Sequence, residues 1–197
     1  MLASNLLSTH LNESFPATES YRSIAPCCIW LTGLSGAGKS TIANTLHNQL
    51  SSYGLPVVII DGDLLREGLN KNLGFSREDR SESVRRAAEV AKLMQGAGLI
   101  VIVALISPFR EDREKAKMLF LERTFIEVFV NTDLQTCEDR DPKMLYKKAR
   151  QGLIPEFTGI SSPYEPPHSP CINLLTHQKT PEQCVHEIIQ HLSSRVF

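Results

Sequence analysis

Residues 33–40 read GLSGAGKS, and this motif indicates the fold class of the protein. It matches the pattern G-x-x-x-x-G-K-[ST], whose backbone N–H groups surround the phosphates of a bound nucleotide. An apolar run at residues 27–31 precedes it, and a helical pattern at about 40–51 follows it. This order of strand, loop and helix is the context that the pattern needs, because the helix adds its positive N-terminus to the phosphate site. The stretch therefore predicts a phosphate-binding P-loop.

Two side chains at the end of this loop have predicted roles. The Lys39 ammonium reaches the β- and γ-phosphates, and the Ser40 hydroxyl is a ligand for Mg²⁺. Lys39 is therefore a candidate catalytic residue, and Mg²⁺ is the expected cofactor. The predicted nucleotide-binding residues of the loop are Gly33, Leu34, Ser35, Gly36, Ala37, Gly38, Lys39, Ser40 and Thr41.

Strand and helix patterns alternate along the rest of the chain. The run LIVIVALI, residues 99–106, is apolar throughout, which is typical of a central strand covered on both faces. Such alternation predicts an α/β class, a P-loop NTPase fold with a five-stranded parallel sheet flanked by helices and a lid segment. After the first strand and helix, the predicted strands are 56–60, 99–106, 125–130 and 171–175, and the predicted helices are 77–95, 110–121 and 180–192.

Carboxylates follow the second predicted strand, in the sequence VVIIDGD at residues 57–63. One of Asp61 and Asp63 can hold Mg²⁺ through water, and the other can accept a proton from an attacking hydroxyl. The alternative is that both only cap a helix that begins near Leu64. Because the carboxyl ends of parallel strands meet at one edge of a sheet, we expect the P-loop, both aspartates and Ser107 in one cleft.

Residues 140–170 are rich in proline and show no strand pattern. Residues 140–150 carry five basic residues and one acidic residue. A loop of this length inside a compact domain is usually functional or disordered. We predict a lid over the cleft at about 140–170, with a helix at 143–151.

Missing motifs narrow the class of nucleotide-binding protein. A GTPase needs an N-K-x-D motif that reads guanine, but the corresponding stretch VNTDL, residues 130–134, lacks the lysine. A motor or transport ATPase usually ends its long apolar strand in an aspartate, whereas LIVIVALI is followed by Ser107 and Pro108. A basic lid that excludes water and neutralises charge suits phosphoryl transfer. The sequence therefore favours a small-molecule kinase, with ATP as the donor.

The composition is that of an ordinary globular domain. The chain has 197 residues, of which 42% are hydrophobic and 22% charged, and its net charge is −1. This balance gives no reason to expect binding to nucleic acid or to an anionic membrane. No apolar stretch reaches the roughly 18 residues that span a bilayer. The five scattered cysteines are typical of a reducing compartment, so we expect a cytoplasmic protein.

The first 26 residues are rich in serine and threonine and contain one arginine. They have neither the basic start nor the apolar core of a signal peptide, and they are too acidic and too poor in arginine for a transit peptide. We predict a flexible N-terminal tail at residues 1–26, with one short helix at 2–11, followed by a single P-loop domain at residues 27–197.

Four further stretches carry a family resemblance. They are DGDLLREGLNKNLGFSREDRSESVRRAAEVAKL (61–93), ISPFREDR (106–113), CEDRDPKMLYKKAR (137–150) and FTGISSPYEPP (157–167). With them the chain closely resembles the adenylyl-sulfate kinases, over roughly residues 29–175, about three quarters of its length. The resemblance implies that ATP gives its γ-phosphoryl group to the ribose 3′-hydroxyl of adenylyl sulfate (APS), with Mg²⁺. It also implies a homodimer and a functional link to an ATP sulfurylase that supplies APS.

The resemblance also assigns the acceptor side of the cleft. It implies that Arg66 and Arg80 pair with the anionic end of APS through charge-assisted hydrogen bonds. Phe75 and Phe157 would enclose the adenine, and Arg140 would lie near the base of ATP. The residues implied to bind APS are Asp63, Arg66, Phe75, Arg80, Ser83, Ile106, Ser107, Lys148, Phe157, Thr158 and Gly159. The catalytic candidates are Lys39, Asp61, Asp63 and Ser107. The candidate metal ligands are Ser40 and Asp61.

Ser107 aligns with a serine that has been linked to a phosphorylated form in some family members. Phosphoryl transfer depends mainly on positioning and on charge neutralisation, so a covalent stage is not needed. We expect Ser107 to bind substrate or to shape the site.

The chain departs from the family pattern in three places. Ser83 stands where the family usually has Asn, which removes an amide that both donates and accepts. Met144 stands where Gly is usual, which is tolerated if that position is helical and costs more if its φ is positive. After the lid, Pro170 and Cys171 replace the usual Pro-Glu. We therefore expect activity, with substrate affinity as the property most affected.

Two alternatives remain. The first is another small-molecule P-loop kinase, acting on a nucleoside monophosphate or a sugar, which would share the loop and lid but not GFSREDR (residues 74–80) together with FTGI (157–160). The second is a non-catalytic nucleotide-binding subunit, which the intact Lys39, Ser40 and paired aspartates disfavour.

Overall fold

The computed structural model describes residues 24–194 of the chain. The predicted helix at 2–11 and almost all of the predicted tail lie outside the described residues. Inside them, the Ile24 side chain is buried in the core. The Pro26 carbonyl accepts a hydrogen bond of 3.0 Å from the Gln95 amide. The packed part of the chain therefore starts before Cys27.

Five strands form one sheet, and each neighbouring pair of strands is parallel. The spatial order is β2-β3-β1-β4-β5. This order puts β1, and the P-loop that follows it, in the middle of the sheet, and it confirms the predicted fold class. The strands are β1 (Cys28–Thr32), β2 (Val57–Asp61), β3 (Ile100–Ala104), β4 (Phe125–Asn131) and β5 (Ile172–Leu175).

Helices cover both faces of this sheet. In residues 24–194 no helix is long and apolar enough to cross a bilayer. The helices are α1 (Lys39–Ser52), α2 (Gly62–Glu67), α3 (Arg77–Gly96), α4 (Arg110–Lys117), α5 (Leu134–Arg140), α6 (Leu145–Arg150) and α7 (Pro181–Ser193).

Strand β1 divides the core into two apolar clusters. Its Ile29 and Leu31 side chains point to the face covered by α1 and α7, and its Cys28 and Trp30 side chains point to the face covered by α3 and α4. Every residue of β1 and β3 is buried. Burying a large apolar side chain stabilises the fold by about 1.5–3 kcal/mol. Burial on both faces explains why LIVIVALI shows no alternation with polar residues.

Side-chain caps begin the two longest helices after α1. The Ser76 hydroxyl accepts a hydrogen bond of 3.1 Å from the Asp79 N–H at the start of α3. At the start of α7, Thr180 and Gln183 form a reciprocal capping box, and Pro181 occupies the first helical position. These contacts satisfy backbone N–H groups that have no partner within the helix.

Some boundaries differ from the prediction. Strand β3 ends at Ala104 instead of residue 106, because β2 ends opposite it at Asp61 and β1 runs into the P-loop. Helix α4 ends at Lys117 instead of residue 121, where the chain tightens into turns with hydrogen bonds three residues apart. Helix α2 was expected only as a helix near Leu64, in the alternative considered for the two aspartates, and α5 was not predicted. They are six and seven residues long, too short for a periodic pattern to show.

Candidate active site

A cleft of about 740 Å³ opens at the carboxyl ends of the strands. Parallel α/β sheets place their ligands at this edge. Most of the predicted site residues line the cleft, although they come from segments more than one hundred residues apart. Those that line it are Ser35, Gly36, Ala37, Gly38, Lys39, Ser40, Thr41, Asp61, Asp63, Arg66, Phe75, Arg80, Ser83, Ile106, Ser107, Arg140, Phe157 and Thr158.

Four predicted site residues lie elsewhere. Leu34 and Gly159 line a separate shallow groove beside the P-loop. Gly33 sits at the base of the loop, where its carbonyl accepts a hydrogen bond from Lys39. The Lys148 side chain is exposed on α6 and does not line the cleft.

The glycines of the P-loop are needed for close backbone approach. A Cβ on Gly33 would lie 2.5 Å from the Val130 carbonyl oxygen, and a Cβ on Gly36 would lie 2.9 Å from that of Cys137. Real Cβ atoms do not come this close to backbone oxygens. The loop is therefore packed against β4 and α5, and this packing holds its N–H groups in place for a phosphate.

The Lys39 ammonium is held inside the loop. It donates hydrogen bonds to the carbonyls of Gly33 at 2.9 Å and Leu34 at 2.7 Å. Burial lowers the pKa of Lys39 to about 8, since the charged form loses hydration there. A phosphate group is a stronger partner than two neutral carbonyls. Lys39 is therefore poised to exchange these contacts for nucleotide phosphate.

Asp61 links the P-loop to the start of α2. Its Oδ2 accepts a hydrogen bond of 2.7 Å from the Ser40 hydroxyl, while its Oδ1 accepts one of 2.8 Å from the Asp63 N–H. Asp61 thus caps α2, in line with the alternative considered for this residue, and it also faces Ser40. Asp63 is not the N-cap; its side chain is exposed in the cleft.

The residues present fit a Mg²⁺ site. Mg²⁺ takes oxygen ligands, usually one or two from the protein and the remainder from water and substrate phosphates. The Ser40 hydroxyl and the Asp61 carboxylate supply two adjacent oxygens beside the loop. Among the described residues no group of three or more His, Cys, Asp or Glu side chains could form a closed metal cage. A Mg²⁺ ion here would therefore depend on the nucleotide for further ligands.

The lid reaches the cleft through Lys143. Its ammonium forms an ion pair with the Asp63 carboxylate on the opposite wall. The family resemblance implied a substrate contact for Lys148 and did not single out Lys143. The basic run at 140–150 contains several cations, and only the path of the backbone shows which one faces inward.

Met144 sets that path. Its φ is +55°, and it is the residue immediately before α6. Met144 therefore has the positive φ that was considered as the less favourable case for this position. This left-handed backbone conformation costs roughly 1–2 kcal/mol for a residue with a Cβ. The lid helix starts at Leu145 instead of residue 143 for this reason.

Two arginines and a phenylalanine form the far end of the cleft. The Arg66 guanidinium lies 4.2 Å from the centre of the Phe75 ring, and that of Arg80 lies 5.5 Å from it. Arg80 is 6% exposed and donates to the carbonyls of Phe75 at 2.9 Å and Glu156 at 2.8 Å. Burial lowers the pKa of both arginines, and both stay charged.

The two predicted adenine-binding rings have different surroundings. Phe75 is 45% exposed, so its ring is accessible from the cleft. Phe157 is buried and packs edge-on against Tyr146, with the ring centres 5.0 Å apart. The Tyr146 hydroxyl donates to the Ser35 carbonyl at 2.9 Å. Through this contact the lid is joined to the P-loop.

Ser107 forms part of the cleft wall. Its hydroxyl accepts a hydrogen bond of 3.0 Å from the Trp30 indole, and its carbonyl accepts one of 2.6 Å from Arg113. Its φ is +40°, and the residue is buried. These contacts hold the turn that follows β3, which agrees with a residue that shapes the site.

Arg140 and the segment after β5 close the nucleotide side. Arg140 donates to the carbonyls of Gly36 at 3.3 Å and Thr176 at 3.4 Å, so it joins the P-loop to that segment. The sequence reasoning missed the cleft residues of this segment, because only the sheet order brings β5 close to the P-loop. The cleft-lining residues that were not predicted include Pro142, Lys143, Thr176, Lys179, Pro181 and Cys184.

The P-loop, the paired aspartates and the basic lid define a P-loop kinase. The family model described as adenylylsulphate kinase matches residues 25–175. The chain therefore belongs to the adenylyl-sulfate kinase family, and the predicted family and enzyme class are confirmed.

Individual relatives agree with the family model. The chain is 57% identical to an adenylyl-sulfate kinase of Burkholderia ambifaria over 164 residues, which is 83% of this chain and 91% of that protein. It is 55% identical to one of Bacillus licheniformis, over 85% of each chain. An APS kinase of Mycobacterium tuberculosis, in complex with AMPPNP and APS, superposes with a TM-score of 0.82 at 44% identity, over 85% of this chain and 98% of that one.

Proposed function

We propose that this protein transfers the γ-phosphoryl group of ATP to the 3′-hydroxyl of APS, giving 3′-phosphoadenylyl sulfate and ADP. One observation carries the proposal: a single cleft has a P-loop at one end and, at the other, Phe75 with two arginines around it. The first end suits the triphosphate of a donor, and the second suits a nucleotide with an aromatic base and an anionic group.

At the donor end, the P-loop N–H groups and Lys39 bind the phosphates of ATP. Ser40 and Asp61 would hold Mg²⁺, which neutralises phosphate charge when bound. Arg140 and the segment after β5 lie on the nucleotide side of the loop. They are placed to border the base of ATP.

At the acceptor end, Arg66 and Arg80 bind the phosphate–sulfate group. Arg66 already covers one face of the Phe75 ring, so the adenine of APS would stack on the other face. Phe157 approaches from the lid and supplies the opposing apolar surface. Thr158 and Ile106 complete the wall around the acceptor.

Between the two ends, Asp63 is the proposed general base. It accepts the proton of the 3′-hydroxyl as that oxygen forms its bond to the γ-phosphorus, and the bond to the β–γ bridging oxygen breaks with its electron pair going to ADP. Lys143 pairs with Asp63. It is therefore close enough to the transferring group to offset its charge.

The wider assignments rest on the family resemblance. We propose a homodimer in the cytoplasm, with an ATP sulfurylase as the supplier of APS. A solved relative, described as a hexameric APS kinase from Thiobacillus denitrificans, shares 30% identity with this chain, which covers 30% of that chain. Size determination in solution would decide the oligomeric state of this protein.

A coupled assay of ADP release tests the proposed function. The purified chain is given ATP and Mg²⁺ with APS, AMP or gluconate as acceptor. We expect turnover with APS at least about 100-fold above that with the other two, because they lack either the sulfate or the whole nucleotide. Absence of APS-dependent turnover at every concentration would sink the proposal, and turnover with gluconate would favour a sugar kinase.

A further inference from the structure

Ser83 lines the acceptor end of the cleft and is part of α3. A serine inside a helix often donates its hydroxyl to the carbonyl four residues earlier. Here the hydroxyl oxygen instead accepts a hydrogen bond of 2.9 Å from the Asn70 side-chain N–H. Among residues 24–194 this is the one hydrogen bond recorded for the Ser83 hydroxyl.

Asn70 lies in the turn after α2, and that turn holds it firmly. Its backbone N–H donates to the Leu65 carbonyl at 2.7 Å, and its carbonyl accepts from the Leu73 N–H at 3.0 Å. The residue is 1% exposed. No hydrogen-bond partner in the described part of the chain reaches its Oδ1 atom.

A buried amide whose oxygen has no hydrogen-bond partner does not stabilise the fold. Leaving such an acceptor without a partner costs about 1–3 kcal/mol, and an apolar side chain of similar size would avoid that cost. The one hydrogen bond that the Asn70 side chain makes among the described residues is to a cleft residue. The arrangement therefore points to a role in the site.

The direction of this hydrogen bond decides what Ser83 can do. A hydroxyl has one proton to donate and two lone pairs to accept with. Because Asn70 donates to one lone pair, the Ser83 proton is left for another partner. The cleft at this end is where the anionic or ribose oxygens of APS would lie, and such oxygens accept hydrogen bonds.

We propose that Asn70 is a positioning residue for the phosphoryl acceptor: it sets the polarity of the Ser83 hydroxyl so that Ser83 donates to APS. The proposal rests on the proposed function, since it names a contact to the same substrate. In this proposal Asn70, a turn residue outside the cleft, contributes to the affinity for APS.

A double-mutant cycle tests this coupling. The proteins are the wild type, Asn70→Leu, Ser83→Ala and the double variant, and the readouts are kcat and the KM values for APS and ATP. Each single variant is expected to raise the KM for APS by about 5- to 10-fold, the effect of one hydrogen bond to a substrate. With Ser83→Ala present, Asn70→Leu should add less than about 2-fold, because the hydroxyl it orients is gone. The KM for ATP should stay within about 2-fold.

Gln95→Leu is the matched control. It also removes an amide that donates to an oxygen, at 3.0 Å to the Pro26 carbonyl, and it lies on the same helix as Ser83 but away from the cleft. It should lower the melting temperature and leave the KM for APS unchanged. If Gln95→Leu raises the KM for APS as much as Asn70→Leu does, a general loosening of α3 explains both and the proposal is overturned.

Asn70→Asp tests the direction of the bond. A carboxylate cannot donate, so the Ser83 proton would turn toward the introduced carboxylate and away from APS, and the KM for APS should rise at least as far as in Asn70→Leu. A wild-type KM in Asn70→Asp, or equal effects of Asn70→Leu with and without Ser83, would overturn the proposal. If Asn70→Asp does not fold, the cycle with Asn70→Leu decides alone. Failure of the wild type to use APS would instead reject the proposed function itself, and this inference with it.

Discussion

The donor end and the acceptor end of the cleft are built in different ways. The phosphate-binding part of the donor end comes from one continuous stretch, residues 33–41, whose glycines pack against β4 and α5. The acceptor end is assembled from α2, α3 and the turn between them, the end of β3 and the lid. The difference teaches that phosphate binding is a local property of this chain, whereas the choice of acceptor depends on how distant segments meet.

The largest expected effect is at the donor end. Lys39→Ala removes the cation that faces the transferring phosphate, so kcat should fall by about 100- to 1000-fold, the range for losing one preorganised electrostatic contact. The KM for APS should change little, since Lys39 contacts carbonyls of the P-loop and not the acceptor end. Steady-state kinetics with varied APS measure both. An equal rise in the KM for APS would show that the two ends are not separate.

Lid lysines give the next largest effect. Lys143→Ala should lower kcat/KM by about 10- to 150-fold, because a hydrogen bond to a charged group contributes about 1.5–3 kcal/mol. Lys148→Ala is the matched control, an exposed lysine of the same lid that does not line the cleft. It should stay within about 2-fold of the wild type. A larger loss of kcat/KM in Lys148→Ala than in Lys143→Ala would show that the lid has a different orientation when substrates are bound.

Phe75→Ala tests the acceptor end directly. Stacking of a base on an aromatic ring contributes about 1–3 kcal/mol in nucleic-acid complexes, so the KM for APS should rise by roughly 5- to 150-fold. Because Phe75 is 45% exposed, the melting temperature should hardly change. The KM for ATP should stay at its wild-type value. A variant with raised KM values for both substrates would contradict the separation of the two ends.

Nucleotide affinity should depend on pH through Lys39. Burial lowers the pKa of this lysine to about 8, and the negative charge of a bound phosphate raises that pKa again. Binding therefore takes up a proton above pH 8, and ADP affinity should fall as the pH rises, by at most about 10-fold per unit. Isothermal titration at about pH 7, 8, 9 and 9.5 measures this slope. In Lys39→Ala the slope should vanish, and a slope that persists there would assign it to another group.

The smallest expected effect is on stability, at Met144. Met144→Gly should raise the free energy of unfolding by about 1 kcal/mol, because glycine adopts a φ of +55° without the Cβ clash. For a domain of this size that corresponds to a melting temperature about 2–4 °C higher. Met144→Ala keeps the Cβ and should show no such gain. A gain in Met144→Ala as large as that in Met144→Gly would show that the loss of the half-exposed Met side chain, and not backbone strain, is responsible.

Much of the fold followed from short-range patterns. The buried strands and long helices were predicted to within a few residues, because their periodicity and caps are encoded locally. Helix α4 was predicted four residues too long, since Met118 and Leu121 continue an apolar pattern although both side chains are exposed. The short helix α5 was missed, and α2 was expected only in the alternative for the two aspartates. Their formation depends on the Asp61 and Asp133 caps more than on any repeat.

The candidate site divides in the same way. The spacing of short motifs was enough to predict the P-loop and the two aspartates after β2, and the family resemblance implied the arginines of the acceptor end. Three features became visible only in the folded structure. Lys143 and not Lys148 lines the cleft, the backbone φ of Met144 is positive, and the Asn70 amide donates a hydrogen bond to Ser83. These three features depend on how a side chain or a stretch of backbone is oriented relative to a segment distant in sequence. Tertiary packing sets that orientation, and the local sequence does not specify it.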